Sequence, residues 1–317
     1  MIIDAFSAFN EIELANFRIQ YLEDYVDKIV IQESKLTYSG ISKKLYFAEW
    51  FERLPSTLKN KIDLIEVDLG HLNAPWDREI YTREHLMNYI KVAYPDHKFI
   101  LSDLDEIPSQ SQIIELKKNT GLFHFKTPTY YLKLNWALQD NHRNWSRGVM
   151  GEVKSAIYEN GARFIKHLPL IDGTPGAHFS YLNFDAHKLE FKLISFAHTE
   201  LQNASKNSQW IMEISNRYKI DHLGRFDTKG FGLIKITDVM SNDVTSAAQS
   251  FFPNSIDESN FTPNLLVRLF YSAKLTTYYK ENEILSRNVN EIAISKVFKT
   301  VFLGFLKSIK RLISRSA

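Results

Sequence analysis

The first hundred residues alternate strand and helix patterns, and that order leaves few ways to fold. Ile2 to Phe6 reads as a strand, and Leu14, Phe17, Tyr21, Leu22 and Tyr25 then recur at helical spacing. Lys28 to Gln32 returns to a β-branched strand that ends at Glu33 and Ser34, before a turn-rich Thr37-Tyr38-Ser39-Gly40. Ile62 to Leu69 is a third strand, a helix covers about Trp76 to Val92, and Phe99 to Leu101 is a fourth strand. Crossover helices must cover the faces of such a sheet, so the order predicts a mostly parallel, doubly wound α/β arrangement.

The fourth strand runs straight into Asp103, Asp105 and Glu106. Carboxylates this close repel one another unless a divalent cation or a shared proton lies between them. Ser109 and Gln112 have capping-box spacing, which starts a helix at Ser109 and leaves the acids in a strand-to-helix loop. Ligands of open α/β sheets bind at such strand ends. A single acid there would serve equally well to complement the helix dipole, but three acids within four residues favour a metal or phosphate-metal site. Such a cation grips a diphosphate and neutralises its charge as it leaves. Arg78 and Arg83, on the preceding helix, are candidates for added charge stabilisation, although each alone also reads as a surface arginine.

Beyond Gly121 the pattern changes. Leu122 to Lys126, Tyr130 to Trp136, Val149 to Tyr158 and Ala177 to Leu182 have strand character, and Gln139 to Ser146 reads as a polar loop. Asp185 can cap a helix with Leu189, Leu193 and Phe196 on one face, which delivers His198 and Glu200 at its end. Trp210, Ile211, Ile214 and Tyr218 mark a further helix, and about Ser241 to Pro263 reads as a loop or linker. The expected division is therefore 1–240, a 241–263 linker and a helical extension over 264–317. Over 296–315, Phe298, Val301, Phe302, Phe305, Ile309, Leu312 and Ile313 share one helical face opposite Lys296, Lys299, Lys307, Lys310, Arg311 and Arg315. A basic amphipathic helix of this kind suits peripheral contact with an anionic membrane; a terminal helix docked on the domain is the alternative.

Composition excludes several classes. A net charge of +2 gives no support to wholesale nucleic-acid binding. The absence of cysteine removes disulfides, zinc-thiolate sites and a cysteine nucleophile. No apolar run approaches the roughly 20 residues of a spanning helix, and the N-terminus shows no signal segment. The expectation is a cytoplasmic protein, peripheral on the inner face of the cell membrane.

The ordered set of motifs resembles glycosyltransferase family 17. It comprises Ile3-Asp4-Ala5-Phe6 with Phe9-Asn10-Glu11 and Glu13-Leu14, Val26-Asp27-Lys28 with Val30-Ile31 and Glu33-Ser34, then Ser39-Gly40 and Trp76 with Arg78-Glu79. Ser102 to Pro108, Tyr130-Tyr131, Gly176 with His178 to Tyr181, and Lys192-Leu193 with Ser195 to His198 complete it, so the resemblance covers about residues 2 to 200. It implies a GT-A-like fold, with a Rossmann-like nucleotide half and an acceptor half, whose acid loop is a DxD motif. It further implies an inverting transferase that takes a UDP-sugar, with N-acetylglucosamine the expected sugar, and uses Mn²⁺ or Mg²⁺ held by Asp105 and Asp103. Asn10, Glu11 and Glu33, which follow the first two strands, would lie near the nucleotide; Asn10 and Glu11 are equally readable as helix-start residues. Asp185 is the first candidate for the base and Glu200 the next, with Asp185 equally readable as a helix cap. His178, then His198, compete as a third metal ligand, and either is also readable as a structural histidine. With no visible anchor and a basic tail, a lipid-linked glycan acceptor in bacterial surface-polysaccharide or lipooligosaccharide assembly is the expected setting. The alternatives are a metal-dependent nucleotidyltransferase or phosphohydrolase, or a non-catalytic carbohydrate-binding protein on the same fold.

Overall fold

The computed structural model describes residues 1–138, 145–156, 167–223, 233–235, 242–259 and 264–281. The chain is mixed α/β, with two mixed sheets and flanking helices. The first sheet has six strands in the order β3-β2-β1-β4-β9-β6. Its parallel part is β1 (Ile2–Ser7), β2 (Lys28–Glu33), β3 (Ile62–Glu66) and β4 (Lys98–Leu101). The antiparallel strands β6 (Leu122–His124) and β9 (Val149–Glu152) complete it.

Strand parity assigns each side chain a face. Ile2, Phe6, Ile29, Ile31 and Ile100 pack with Phe17 and Leu22 of α1 (Ile12–Leu22) and Phe47 of α2 (Tyr46–Glu52). The alternate residues Ile3, Ala5, Val30, Phe99 and Leu101 pack with Leu86, Met87 and Ile90 of α4 (Pro75–Ala93). A short α3 (Ser56–Lys59) precedes β3. The chain leaves β1 towards β2 and β3 and returns to β4 on the other side of β1. The crevice at the carboxyl ends of β1 and β4 is therefore the sheet's switch point, the usual ligand position in such sheets.

The second sheet runs β11-β8-β7-β10-β5. It is built from short strands: β5 (Glu106–Ile107), β7 (Thr129–Tyr131), β8 (Trp136–Leu138), β10 (Ala177–Ser180) and β11 (Leu233–Lys235). Between β4 and α5 (Gln110–Lys118) the acid loop thus contains a strand, and its Glu106 pairs with His178 across β5 and β10. The capping box at Ser109 is present. The single strand expected over Tyr130 to Trp136 is broken at Leu132, whose φ is 64°.

Helices α6 (Ala186–Ser195), α7 (Ser208–Tyr218) and α9 (Leu265–Glu281) surround a second core with Leu189, Leu193, Ile211, Leu275 and Tyr279. Within 241–263, expected as loop, Asp243–Phe251 form α8. The Asn242 side chain caps it through the Val244 and Thr245 N–H groups, and Val244 and Ala248 are buried, so two apolar residues at helical spacing suffice in a polar stretch. No helix among the described residues is long and apolar enough to cross a membrane. The basic segment 296–315 lies outside the described residues.

Candidate active site

A cavity of about 470 Å³ opens at the switch point. Asn10 and Glu11 line it from the end of β1, Glu33 from the end of β2, Arg83 from α4, and Asp103 and Asp105 from the acid loop. Its far wall is α6, where Lys188, Phe191, Lys192 and Ser195 repeat at helical spacing and all face the cavity.

The acid loop is held from inside the protein. Asp4 on β1 faces α1, and its carboxylate receives two bonds from Arg18, Nε to Oδ2 at 2.9 Å and Nη2 to Oδ1 at 2.6 Å. The same guanidinium donates to the Ser102 hydroxyl at 2.9 Å. It also reaches the carbonyls of Asp103 at 2.8 Å, Leu104 at 3.2 Å and Glu106 at 3.2 Å. Buried polar groups must be paired, and here one buried cation pairs with the loop carbonyls while the Asp103 and Asp105 side chains line the cavity.

Asp103 continues the parity that faces Phe99 and Leu101 towards α4, and its Oδ1 lies 3.4 Å from Arg83 Nη2. Arg83 also grips Glu79 at 2.7 Å. Asp105 Oδ2 lies 3.4 Å from His178 Nε2, and His178 Nδ1 lies 3.3 Å from the Thr129 hydroxyl. Burial pushes the Asp105 carboxyl up, but the charge and hydrogen bond of His178, with Lys192 beyond, hold it net below the usual range. Burial pushes His178 down, and Asp105, Glu106 and Asp103 bring it net above the usual imidazole value. Burial pushes the Tyr38 hydroxyl up to about 12, so it lines the cavity as a neutral donor. Glu106 points away and accepts from the Trp145 indole N–H.

The other expected residues have different surroundings. Glu33 lines the cavity, yet its carboxylate is bound to Lys43 Nζ at 3.0 Å and to the Tyr46 and Phe47 N–H groups at 2.6 and 2.9 Å, capping α2. Arg78 is turned to the carbonyls of Tyr38 and Leu72. Asp185 caps α6 through the Lys188 N–H at 2.7 Å. His198 and Glu200 pair with each other at 2.6 Å, with the His198 ring 4.7 Å from exposed Trp76. Arg78, His178, Asp185, His198 and Glu200 all stand outside the cavity lining. Sequence reading missed Lys192, Tyr181 and Tyr38 as lining residues. The available signal was Lys188, Phe191 and Lys192 at helical spacing on a face of α6 beside the one that carries Leu189 and Leu193.

Among the described residues, no three His, Asp or Glu side chains converge to hold a metal ion on their own. The oxygen donors of Asp103 and Asp105, both facing the cavity, fit a cation whose remaining positions a phosphate ligand fills, as Mg²⁺ takes one or two carboxylates plus substrate phosphates.

The glycosyltransferase family 17 model matches residues 1–217. The human β-1,4-mannosyl-glycoprotein 4-β-N-acetylglucosaminyltransferase is 28% identical over 142 residues, which take in 41% of this chain and 27% of that protein. The rat protein of the same name is 28% identical and the mouse protein 27%, each over 26% of its length. The chain thus matches about a quarter of the length of these relatives. The family match takes in both sheets' site-forming strands and the α6 wall, and on it the chain belongs to glycosyltransferase family 17.

Proposed function

We propose that this glycosyltransferase moves N-acetylglucosamine from a UDP-sugar to a glycan hydroxyl, with inversion, on a GT-A-like fold. The observation that carries the reading is the pair Asp103 and Asp105 at the mouth of β4, facing a cavity large enough for a nucleotide-sugar. The names of the relatives supply the sugar.

In this reading the nucleoside end lies over the carboxyl ends of β1 and β2, near Asn10 and Glu11, and the diphosphate reaches the acid loop. Asp103 and Asp105 would hold Mn²⁺ or Mg²⁺ against the diphosphate. A cation held there neutralises the charge that builds on the departing diphosphate. His178 keeps Asp105 ionised and aimed, and Arg18 fixes the loop backbone, so little reorganisation is needed when the donor arrives. The attacking hydroxyl must lose a proton to a carboxylate. Asp185 and Glu200 are engaged outside the lining, so the base is sought among the lining acids. Among these, Glu11 makes only a local contact, with the Asn10 N–H at 3.1 Å.

The basic 296–315 segment supports an acceptor carried at a membrane surface, such as a lipid-linked surface glycan. The deciding experiment supplies a panel of nucleotide sugars with Mn²⁺ or Mg²⁺ and measures nucleotide release with a glycan panel. UDP release from UDP-N-acetylglucosamine that needs both cation and acceptor supports the reading. Release of pyrophosphate or monophosphate would replace it with the nucleotidyltransferase or phosphohydrolase alternative.

A further inference from the structure

Six carboxylates line the cavity: Glu11, Glu13, Glu33, Glu79, Asp103 and Asp105. A diphosphate is itself anionic, so the chain must offer positive charge that is not already spent. Lys43 is spent on Glu33, at 3.0 Å. Arg83 is spent on Glu79 and Asp103. Lys188 is exposed on the first turn of α6. The ammonium of Lys192, one turn further into the cavity, has no hydrogen-bond or ion-pair partner among the described residues.

Its position is nevertheless fixed. The ammonium lies 4.6 Å from the centre of the Tyr181 ring and 5.5 Å from that of Phe184, so two π-faces hold it while leaving its three N–H donors unused. Leu189 and Leu193, each beside a cavity-facing lysine on the helix, are buried in the second core and anchor α6. Burial opposes its charged form, but Tyr181 and then Asp105, Glu11 and Asp103 outweigh it, although no carboxylate reaches ion-pair distance.

We propose that Lys192 binds the diphosphate of the nucleotide-sugar directly, on the side opposite the Asp103 and Asp105 carboxylates. The assignment deepens the donor reading above and rests on it. A half-buried ammonium with unused donors gains charge-assisted hydrogen bonds when an anion arrives, and its attraction grows as the bond to the sugar breaks and the electron pair stays on the diphosphate. The two ring faces hold the side chain before the ligand arrives, which lowers the cost of ordering it.

Calorimetric titration with UDP and with uridine, in Mg²⁺, tests this on the full chain as wild type, Lys192→Met and Lys192→Arg. Methionine keeps the packing against Tyr181 and removes the charge. The expected result is UDP affinity lowered about 10- to 100-fold in Lys192→Met, the range for a lost hydrogen bond to a charged group. Uridine affinity should stay within about twofold, and Lys192→Arg should recover part of the loss. Unchanged UDP affinity in Lys192→Met, or an equal loss for uridine and UDP, overturns the assignment and leaves the donor reading standing. Wild-type protein that binds neither ligand overturns both.

Discussion

Arg18 and Asp4 are both fully buried and joined by two parallel bonds, the shorter 2.6 Å, and the pair sits directly behind the acid loop. It does two jobs, since the same guanidinium holds the carbonyls of Asp103, Leu104 and Glu106. Removing one partner strands a buried charge, which costs about 3–5 kcal/mol. Arg18→Met should lower unfolding free energy by about that amount in a urea titration. Because the loop loses the guanidinium that holds its carbonyls, the proposed metal-dependent UDP binding should fall as well in the fraction that remains folded.

Gly176 lies where the second sheet meets the acid loop. A Cβ there would stand 2.1 Å from the Ile107 carbonyl oxygen and 2.9 Å from Pro108 Cα, both backbone atoms that cannot swing aside. Gly176→Ala should push β10 from β5 and destabilise by about 1–3 kcal/mol, the cost of overpacking. His178 follows two residues on, so the variant should also raise the Mn²⁺ concentration needed for half-maximal activity. A variant with unaltered stability and metal response would remove this account of the Gly-x-His spacing.

Much of the parallel part of the first sheet was legible because β1, β2 and β3 are five or six residues long and amphipathic helices separate the strands. The ends of those apolar runs also placed Asp103 and Glu33 at the carboxyl edge of the sheet. The second sheet was not legible in the same way, because β5, β7, β8 and β10 have two to four residues, too few for a period. The broken Tyr130 to Trp136 segment is a consequence of that shortness, whereas α8 escaped because only Val244 and Ala248 mark an apolar buried face in a polar stretch. Lys192 was hidden for a different reason. The polar face of an amphipathic helix normally meets solvent, and on α6 it meets a cavity.

Asp257 gives an acid-stability prediction away from the site. It bonds Lys219 at 2.6 Å, the Trp136 indole at 2.9 Å and the Ser259 N–H at 3.0 Å. Burial raises its carboxyl, but those bonds hold it net well below the usual range. A depressed folded value stabilises above the unfolded value of about 3.9 and is lost as pH falls through the folded one. Asp257→Asn should therefore lose about 1–3 kcal/mol at neutral pH and show a shallower decline of stability below about pH 4. Parallel denaturation curves from pH 7 to pH 2 would check it, and equal slopes in the two proteins would refute it.

Support and direct contact are separable at the acid pair. His178 stands outside the cavity lining, yet its Nε2 lies 3.4 Å from Asp105 and its ring lies 5.2 Å from that of Trp145. Partners of this kind orient a metal-binding carboxylate, and their loss costs about 10- to 100-fold in metal affinity or activity. His178→Gln keeps a polar group at the position but removes the ionisable imidazole. Titration of activity with Mn²⁺ should show a half-maximal concentration raised about tenfold, with maximal rate largely recovered at saturating metal. Asp105→Asn should lose activity that no metal concentration restores, because in the proposed cation site a ligand atom is itself changed. Identical behaviour of the two variants would place His178 in direct contact with the bound cation instead.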